Sequence, residues 1–402
     1  MNNANPEIRE LTEYKPQYFQ RDDIPYHVGE SLYQYYGKKD NKVDVEFPSP
    51  RTDGKWVITP QGWVGYIPLP EGMTFYIKPK VEIENIFRML EYAYNLKSFR
   101  FLEGQVDCQT MEDLYERLAN ILAQGVLSRS RKGLYRTYIP KKKLLSYVRG
   151  RIEVEKTIRH PWQVKPSCHF KQHTTDIEEN QILTWTLSQI ARSRVCSALV
   201  MPTIRQAYRG IQRYTTLVPF TSQDCQSRSY NRLNEDYMPL HALCRFFLDH
   251  CGPSHERGEN KTLPFLVNMA RLYELFVAEW LKRHLPEDYE IKAQERLEIG
   301  SEGNISFNID LVLYNVAQQR AIKVLDTKYK APVRPSSADV QQAIAYANMK
   351  QCNEAILIYP QELAEPLDEV VGSGIRVRSL TFSLNNDIEQ NGSGFLEQSI
   401  FQ

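Results

Sequence analysis

Two strand-length segments near the C-terminus, joined by a short polar turn, constrain the fold of this chain most. Residues 305–314 and 321–329 are rich in apolar and β-branched side chains, and Asn315 to Arg320 between them form a mostly polar turn. This pattern predicts a β-hairpin. One strand carries Asp310 and the other carries Asp326. Since apolar residues flank both acids, we expect the carboxylates to lie inside the fold and not on an exposed edge strand.

The residues around these acids predict a metal-dependent phosphodiesterase. Side chains alternate between the faces of a strand, so Asp326 and Lys328 project to the same side. Asp310 and Asp326, together with the backbone carbonyl of Thr327, offer the oxygen ligands that Mg²⁺ or Mn²⁺ prefers. Such a metal polarises a phosphate and lowers the pKa of a bound water. Lys328 is then expected to position that water and to stabilise the charge of the transition state.

Helices on either side of the hairpin supply further candidates. Glu274 lies on a helix predicted from Leu266 to His284, on a face that is otherwise apolar, where a carboxylate needs a partner such as a metal site. Gln342 and Tyr346 are four residues apart on a second predicted helix, so they point the same way towards the attacking water or the DNA backbone. The predicted catalytic residues are Asp310, Asp326, Lys328, Glu274, Gln342 and Tyr346, and the predicted metal ligands are Asp310, Asp326, the Thr327 carbonyl and Glu274.

Length and local patterns predict a multidomain chain of the α+β and α/β classes. The 402 residues are enough for two or three domains. Residues 1–105 show short alternating segments typical of a β-rich domain, and residues 106–260 are mainly helical in pattern. Residues 261–402 follow the order helix, strand, strand, helix, strand, which favours a mixed sheet with flanking helices. The polar segment 252–264 is the clearest linker.

The charge balance restricts how nucleic acid is bound. Fifty basic and 49 acidic residues leave a formal charge of +1, which excludes binding by bulk charge alone. Basic residues gather locally within residues 128–151, with tyrosines between them. Contact with DNA phosphates or with a partner is one interpretation, and a solvated surface is the other. The candidate contact residues are Lys80, Lys141, Lys142, Lys143, Arg149 and Arg151.

The cysteine pattern and the hydropathy favour a cytoplasmic protein that does not enter a membrane. No N-terminal apolar run resembles a secretory signal, and no segment approaches the ~20 apolar residues of a membrane span. The seven cysteines include no C-x-x-C pair and are expected to be reduced, mostly buried thiols.

Cys168, His169 and His173 raise the alternative of a zinc site. Their spacing matches no standard zinc finger, and no fourth ligand is evident in the sequence. His160 and His241 are expected to be structural histidines.

The acid, acid and lysine order resembles that of the PD-(D/E)xK nuclease superfamily. Gln342 and Tyr346 are similar to the Q-x-x-x-Y helix of its RecB-like branch. The position before the first acid is Ile309 where the superfamily motif has proline, a residue that is often absent there.

The resemblance extends to the McrC family over roughly residues 75–360. The matching segments are Ile77 to Lys80, Phe87 to Ala93, Gly133 to Tyr138, Val148 to Ile152, Cys168 to Leu183, Arg232 to Tyr237 and Leu272 to Phe276. McrC is the nuclease subunit of restriction systems directed against 5-methylcytosine.

This resemblance implies a DNA endonuclease subunit with a C-terminal PD-(D/E)xK nuclease domain and an N-terminal docking domain. It implies two partners, modified double-stranded DNA and a hexameric AAA+ GTPase of McrB type, whose GTP hydrolysis the N-terminal part stimulates. No G-x-x-x-x-G-K-[ST] motif occurs here, so another chain must supply the nucleotide-driven step. Two alternatives stay open: a stand-alone RecB-like repair exonuclease, and a catalytically silent adaptor for an AAA+ motor.

Overall fold

The chain folds into two compact units, one of residues 1–111 with 265–402 and one of residues 112–264. The structure is a computed structural model. It describes residues 7–38, 41–94, 110–160, 162, 164–193, 195–226, 228–250, 265–299, 305–330, 332–372, 374–385 and 387–400.

The N-terminal part of the first unit is rich in strands, as predicted. Its strands are β1 (Glu7–Thr12), β2 (Gln17–Phe19), β3 (Val43–Glu46), β4 (Trp56–Pro60), β5 (Trp63–Pro68) and β6 (Met73–Lys78), and its helices are α1 (Tyr26–Leu32) and α2 (Ile83–Ala93). Strands β2, β4 and β3 form one antiparallel sheet, and β1, β6 and β5 lie together in another. The sequence predicts short antiparallel strands, and β5 pairs with β6 in this way, whereas β1 and β6 pair in parallel. The core between these sheets is aromatic and aliphatic, with Trp56 and Phe75 fully buried.

The second unit is mainly helical and contains one small sheet. Its helices are α3 (Met111–Lys132), α4 (Val154–Arg159), α5 (Glu178–Ser193), α6 (Met201–Gln212) and α7 (Tyr237–His250). Its strands are β7 (Thr137–Leu144), β8 (Arg151–Ile152) and β9 (Ser167–Thr174), in the antiparallel order β7-β9-β8. The sequence predicts the long helices from their apolar spacing but not this sheet, whose strands expose every second side chain and carry many lysines.

The C-terminal part of the first unit is a mixed sheet with helices packed against it. The strands are β10 (Phe265–Asn268), β11 (Tyr289–Ile299), β12 (Ile305–Asn315), β13 (Arg320–Thr327), β14 (Glu354–Tyr359), β15 (Asp368–Val370) and β16 (Arg376–Thr381), and the helices are α8 (Met269–His284), α9 (Ser337–Lys350) and α10 (Ile388–Ile400). Six of these strands form a sheet in the order β11-β12-β13-β14-β16-β15. The predicted hairpin of β12 and β13 is present, with Leu311 paired to Leu325.

The first unit joins two regions that the sequence predicts as separate domains. Leu266, the predicted first residue of a helix, lies instead in β10, which pairs with β5 and completes the N-terminal sheet. The run from Phe265 to Val267 is buried, which a short central strand allows. Helix α8 begins only at Met269, where the Asn268 side chain caps it by accepting a hydrogen bond from the Arg271 backbone N–H at 3.0 Å. Helix α2 packs on α8 in the same unit.

The predictions about the cysteines, the linker and a membrane span can be compared with the described residues. The cysteines at 168, 196, 225, 244 and 352 are buried, as expected. Cys108, Cys251 and the predicted linker 252–264 lie outside the described residues. Within the described residues, no helix combines the length and apolar character that a membrane crossing requires.

A substitution at Gly65 tests the close pairing of β5 with β10. Its φ is +126°, and a Cβ atom there would lie 2.2 Å from the Phe265 carbonyl oxygen. We predict that Gly65→Ala lowers the free energy of unfolding by at least about 2 kcal/mol, because it adds a clash to an unfavourable backbone angle. Denaturant unfolding of the whole chain measures this loss.

Gly72→Ala is the matched control. Its φ is +78°, but nothing lies within 4 Å of a Cβ built there. The expected loss in the free energy of unfolding is therefore only the roughly 1–2 kcal/mol that a side chain costs at a positive φ. Equal losses for the two variants would contradict a close approach of β10 to Gly65.

Candidate active site

Strands β12 and β13 bring the two predicted acids together at one end of the hairpin. One step beyond the pair Leu311 and Leu325, the antiparallel register sets Asp310 opposite Asp326. Asp310 Oδ2 accepts hydrogen bonds from the backbone N–H and the hydroxyl of Thr327, both at 3.0 Å. These bonds hold the Asp310 carboxylate against the last residue of β13.

Four of the predicted residues form one continuous series of polar contacts. Lys328 Nζ lies 2.6 Å from Asp326 Oδ2. The same ammonium group donates a hydrogen bond to Gln342 Oε1 at 3.1 Å, and Gln342 Nε2 donates to the Tyr346 hydroxyl at 2.9 Å. The structure therefore connects the acid and lysine at the end of β13 to the Gln and Tyr of α9.

Helix α9 is positioned for this contact by its cap and by its packing. The Ser336 side chain accepts a hydrogen bond from the Asp339 backbone N–H at 3.2 Å, which fixes where the helix begins. The helix packs against β13 and β14, and Tyr346 is buried on that side. Gln342 lies one turn before Tyr346, so both side chains face the end of β13.

Asp339 and Lys330 also belong to the site, although neither is among the residues predicted from the sequence. The buried Asp339 carboxylate lies 3.7 Å from Lys328 Nζ and 2.5 Å from Lys330 Nζ. Burial raises its pKa, but bonds to Lys330 and Ser336 outweigh burial, so the pKa is lowered overall. The available signal is spacing, because Asp339 precedes Gln342 by three residues and shares its helix face.

At this end of the hairpin, the carboxylates near Lys328 outnumber the lysine, and this excess of negative charge shifts their pKa values. Asp326 is 1 % exposed. Burial, and then the charge of Asp310, raise its pKa to about 7, although Lys328 opposes this shift. Burial disfavours the Lys328 ammonium, but the carboxylates of Asp326, Asp339 and Asp310 outweigh it and raise the lysine pKa. Lys328 is therefore held as a cation among acids.

Glu274 faces the same cluster from α8 but is already engaged. Arg271 Nη1 donates to both of its carboxylate oxygens, at 3.0 and 3.1 Å, and Gln294 Nε2 donates to Oε1. Burial and the charge of Asp310 raise the pKa of Glu274. Its role as a metal ligand stays a prediction, because both oxygens accept hydrogen bonds from other side chains in this arrangement.

Gln294 has a strained backbone directly beside Asp310. Its φ is +55°, and it lies on β11 between two regular pairs with β12, Ala293 with Leu311 and Glu295 with Ile309. A left-handed conformation costs a non-glycine residue roughly 1–2 kcal/mol. Such strain is concentrated at functional sites. No sequence signal marks it, since glutamine is not a residue typical of that conformation.

The carboxylate oxygens of Asp310 and Asp326 are suitable ligands for a divalent cation. Asp326 Oδ2 is buried, and the Lys328 ammonium at 2.6 Å is its ion-pair partner. Mg²⁺ is usually held by one or two carboxylates and keeps several waters, which Asp310 and Asp326 can satisfy. A set of three or more His, Cys, Asp or Glu side chains in metal-binding geometry is not found among the described residues. A metal site here therefore depends on two carboxylates and on backbone or water oxygens, with the Thr327 carbonyl a predicted ligand.

The basic candidates lie away from these acids along the chain. An open groove of about 630 Å³ in the second unit is lined by Pro140, Lys141, Lys142, Arg149, Gly150, His169, Phe170 and Lys171. The Arg149 guanidinium stacks over the Phe170 ring at 4.4 Å, and Lys142 pairs with Glu153. Lys143 and Arg151 are exposed on β7 and β8, the two strands on either side of β9. Lys80 is exposed in the first unit, with Nζ 4.7 Å above the Tyr14 ring.

The Cys and His residues do not converge on a zinc site. Cys168 is buried on one face of β9, whereas His169 and His173 are exposed on the other. His241 is structural, as expected: it contacts the Tyr230 hydroxyl and the Glu179 carbonyl at 2.9 Å each, and burial lowers its pKa to about 4. His160 lies exposed beside Trp162.

Comparison with known proteins identifies the family. Residues 58–360 match the family model described as McrBC 5-methylcytosine restriction system component. The chain belongs to the McrC family. A curated relative of this McrC-family chain is the type IV methyl-directed restriction enzyme EcoKMcrBC of Escherichia coli K12, 24 % identical over 263 residues, which are 63 % of this chain and 74 % of the relative.

A solved structure shares the fold of this McrC-family chain. It is a half-complex of Thermococcus gammatolerans McrB AAA+ hexamers with bound McrC. The TM-score is 0.55 at 18 % identity, and the match covers 98 % of this chain and 100 % of the other. The mixed α/β architecture of this chain is therefore the McrC fold.

Substitutions of Asp310 test whether repulsion between the carboxylates destabilises this end of the hairpin. Asp310→Asn keeps an oxygen that can accept both Thr327 hydrogen bonds, but it removes a negative charge beside Asp326 and Glu274. We predict that it stabilises the metal-free protein by about 1 kcal/mol. Thermal unfolding at pH 8 with a chelator measures the shift, which is roughly 2–4 °C for a unit of this size.

Asp310→Ala is the paired variant. It removes the charge together with both hydrogen bonds to Thr327, so its melting temperature should fall below that of Asp310→Asn. If Asp310→Asn melts below the unmodified protein, repulsion between the carboxylates does not govern this end of the sheet.

Proposed function

We propose that this chain is the DNA-cleaving subunit of a McrBC-like, modification-dependent restriction system. The reaction is metal-dependent hydrolysis of a phosphodiester in double-stranded DNA. The observation that carries the proposal is the set Asp310, Asp326 and Lys328 where the pairing of β12 with β13 ends, with Lys328 bonded to Gln342 of the next helix. This arrangement supports a PD-(D/E)xK nuclease domain within residues 261–402.

The residues that hold the metal follow from the donor set. Asp310 and Asp326 would bind Mg²⁺ or Mn²⁺, with the Thr327 carbonyl as a further oxygen and Glu274 as support from α8. When bound, the ion supplies Lewis acidity and a water of lowered pKa. The feature of this chain that favours such a ligand is the buried Asp326 carboxylate opposite Asp310, because burial and the charge of Asp310 raise its pKa.

Lys328 supplies positive charge where a phosphate gains negative charge. Its ammonium is kept protonated by Asp326 and by Asp339, and Gln342 fixes its direction. A donor positioned in advance stabilises a transition state without rearranging during the reaction. Tyr346 in turn holds Gln342, so the Q-x-x-x-Y pair acts on the reaction through the orientation of the lysine.

The partner is an AAA+ GTPase of McrB type. The Thermococcus gammatolerans McrC with the same fold is bound to McrB AAA+ hexamers, and this chain contains no P-loop motif of its own. Nucleotide hydrolysis must then come from the docked partner. The methyl-directed relative and the family description extend the target to DNA that carries 5-methylcytosine.

The second unit offers a surface suited to that partner. Large apolar side chains are exposed within residues 138–164: Tyr138, Leu144, Tyr147, Val148, Val154, Ile158, Trp162 and Val164. Exposed apolar residues mixed with basic ones are typical of protein interfaces, whereas aliphatic groups gain nothing from DNA phosphates. We therefore assign this apolar and basic surface to the AAA+ partner, in addition to the N-terminal residues 1–105.

Asp326→Ala tests the nuclease assignment. It removes a metal ligand inside the site, so DNA cleavage should be lost while the complex with the AAA+ partner still forms. The assay uses methylated and unmethylated duplexes, with Mg²⁺ and GTP, in the presence and absence of the partner. Co-elution with the partner in size-exclusion chromatography checks assembly.

Asp368→Ala is the control, because this exposed acid lies on the edge strand β15 and pairs only with Arg376 among the described contacts. It should cut normally. Normal restriction by Asp326→Ala would favour the silent adaptor. Degradation of linear DNA ends without partner or GTP would favour the stand-alone exonuclease.

Trp162→Ala and Arg151→Glu test the partner surface. Trp162 is 73 % exposed, and a tryptophan at an interface commonly carries much of the binding free energy. Both variants should weaken binding to the AAA+ partner at least about 10-fold. Binding is measured by fluorescence anisotropy of the labelled chain, with Leu199→Ala, exposed elsewhere in the same unit, as the control.

A second measurement distinguishes a surface that binds the AAA+ partner from one that binds DNA. If Arg151→Glu weakens binding of free DNA in a salt-dependent way and leaves partner affinity unchanged, the surface serves DNA and the assignment to the AAA+ partner is wrong.

A further inference from the structure

The Asp339 carboxylate on α9 lies between two lysines. Its Oδ1 atom lies 3.7 Å from Lys328 Nζ, and its Oδ2 atom lies 2.5 Å from Lys330 Nζ. Asp339 is buried, and the Ser336 side chain accepts a hydrogen bond from its backbone N–H, so the carboxylate is fixed at the first turn of the helix. Because a different oxygen faces each ammonium, one buried acid holds both lysines on the same side of the site.

The turn after β13 brings Lys330 to this position. The Lys330 backbone N–H donates to the Lys328 carbonyl at 2.8 Å, which closes a tight turn around Tyr329. Tyr329 is buried, and its ring lies 6.0 Å from that of Tyr273. Since Tyr329 is directed into the core, the lysines before and after it are directed the other way, towards Asp339.

The two lysines differ in their contacts and in their access to solvent. The Lys328 side chain is 16 % exposed, and its ammonium also contacts Asp326 at 2.6 Å and Gln342 at 3.1 Å. The Lys330 side chain is 41 % exposed, and among the described residues Asp339 is the only acid within ion-pair distance of it. An ammonium group has three N–H donors. Lys330 can therefore keep its contact with Asp339 and still donate to an anion on the solvent side.

The spacing of phosphates in DNA suits two ammonium groups held side by side. Each strand carries one negative charge for about every 3.4 Å along the helix axis, so a strand with its scissile phosphate at Lys328 brings a second phosphate close to it. The carboxylate that the two lysines share keeps the Lys330 ammonium near that of Lys328, on the side that solvent reaches. A lysine in this place suits a phosphate contact, which fixes where a strand lies and carries no sequence information.

We propose that Lys330 binds the DNA backbone phosphate next to the scissile one, with its ammonium held in place by Asp339. This role rests on the proposed nuclease function and assigns a residue of this chain to substrate binding beside the reaction centre. The contact anchors the strand that is cut, while Lys328 serves the scissile phosphate itself.

Lys330→Ala tests this contact in the full chain. Binding of a short duplex is measured by fluorescence anisotropy over a series of salt concentrations, with a chelator present so that the DNA is not cut. We expect the affinity to fall about 10-fold, and the slope of log affinity against log salt to decrease by about 1, because one charged phosphate contact is lost. The loss should be the same for methylated and unmethylated duplexes. Lys330→Arg keeps the charge and should keep the slope.

Cleavage kinetics with the AAA+ partner, Mg²⁺, GTP and methylated DNA give an independent measurement. A residue that binds the strand equally before and during the reaction acts on KM and leaves kcat nearly unchanged, so Lys330→Ala should raise the KM for DNA about 10-fold. A lower kcat with unchanged KM and unchanged salt slope would mean that Lys330 only neutralises Asp339 inside the protein, and would overturn the proposal.

Lys282→Ala is the matched control. Its side chain is 42 % exposed and pairs with Glu279 at 2.6 Å on α8, about two turns past Glu274. It should change neither duplex affinity, salt slope nor KM, and an equal loss there would show that any surface lysine has this effect. Both variants should unfold like the unmodified chain, since an exposed ion pair contributes at most about 1 kcal/mol.

The two proposals fail in different ways. If the unmodified chain shows no Asp326-dependent cutting, the nuclease proposal fails, and the salt dependence still decides whether Lys330 contacts DNA. If cutting depends on Asp326 but Lys330→Ala changes neither the salt slope nor KM, the nuclease proposal stands and the role of Lys330 is refuted.

Discussion

The Asp326 carboxylate lies inside the protein with a second carboxylate, Asp310, opposite it, and the rest of the site is arranged around this repulsion. A buried carboxylate beside a half-buried one raises the free energy of the folded state, and the raised pKa of Asp326 reflects this cost. The fold tolerates them because Thr327 donates two hydrogen bonds to Asp310 and Lys328 pairs with Asp326. A pair of acids kept at this cost fits a divalent cation better than it fits a structural role.

The lysine is constrained from more directions than an ordinary ion pair needs. Asp326 and Asp339 share its ammonium, and Gln342 accepts one of its hydrogens. Because these groups come from both β13 and α9, any shift between strand and helix would break several contacts together. A reaction centre requires this kind of rigidity, and the accompanying loss of stability is the usual trade-off between stability and activity. The strained backbone of Gln294 beside Asp310 adds to that loss.

Local patterns in the sequence predict what depends on local structure. The hairpin follows from apolar alternation, and the Gln342 and Tyr346 pair follows from the helical repeat, so the structure has both. The strand at Leu266 and the small sheet of the second unit are missed, since their short segments depend on distant pairing partners. The three predicted domains form two units for the same reason. The roles assigned to the site residues stay predictions that the variants above address.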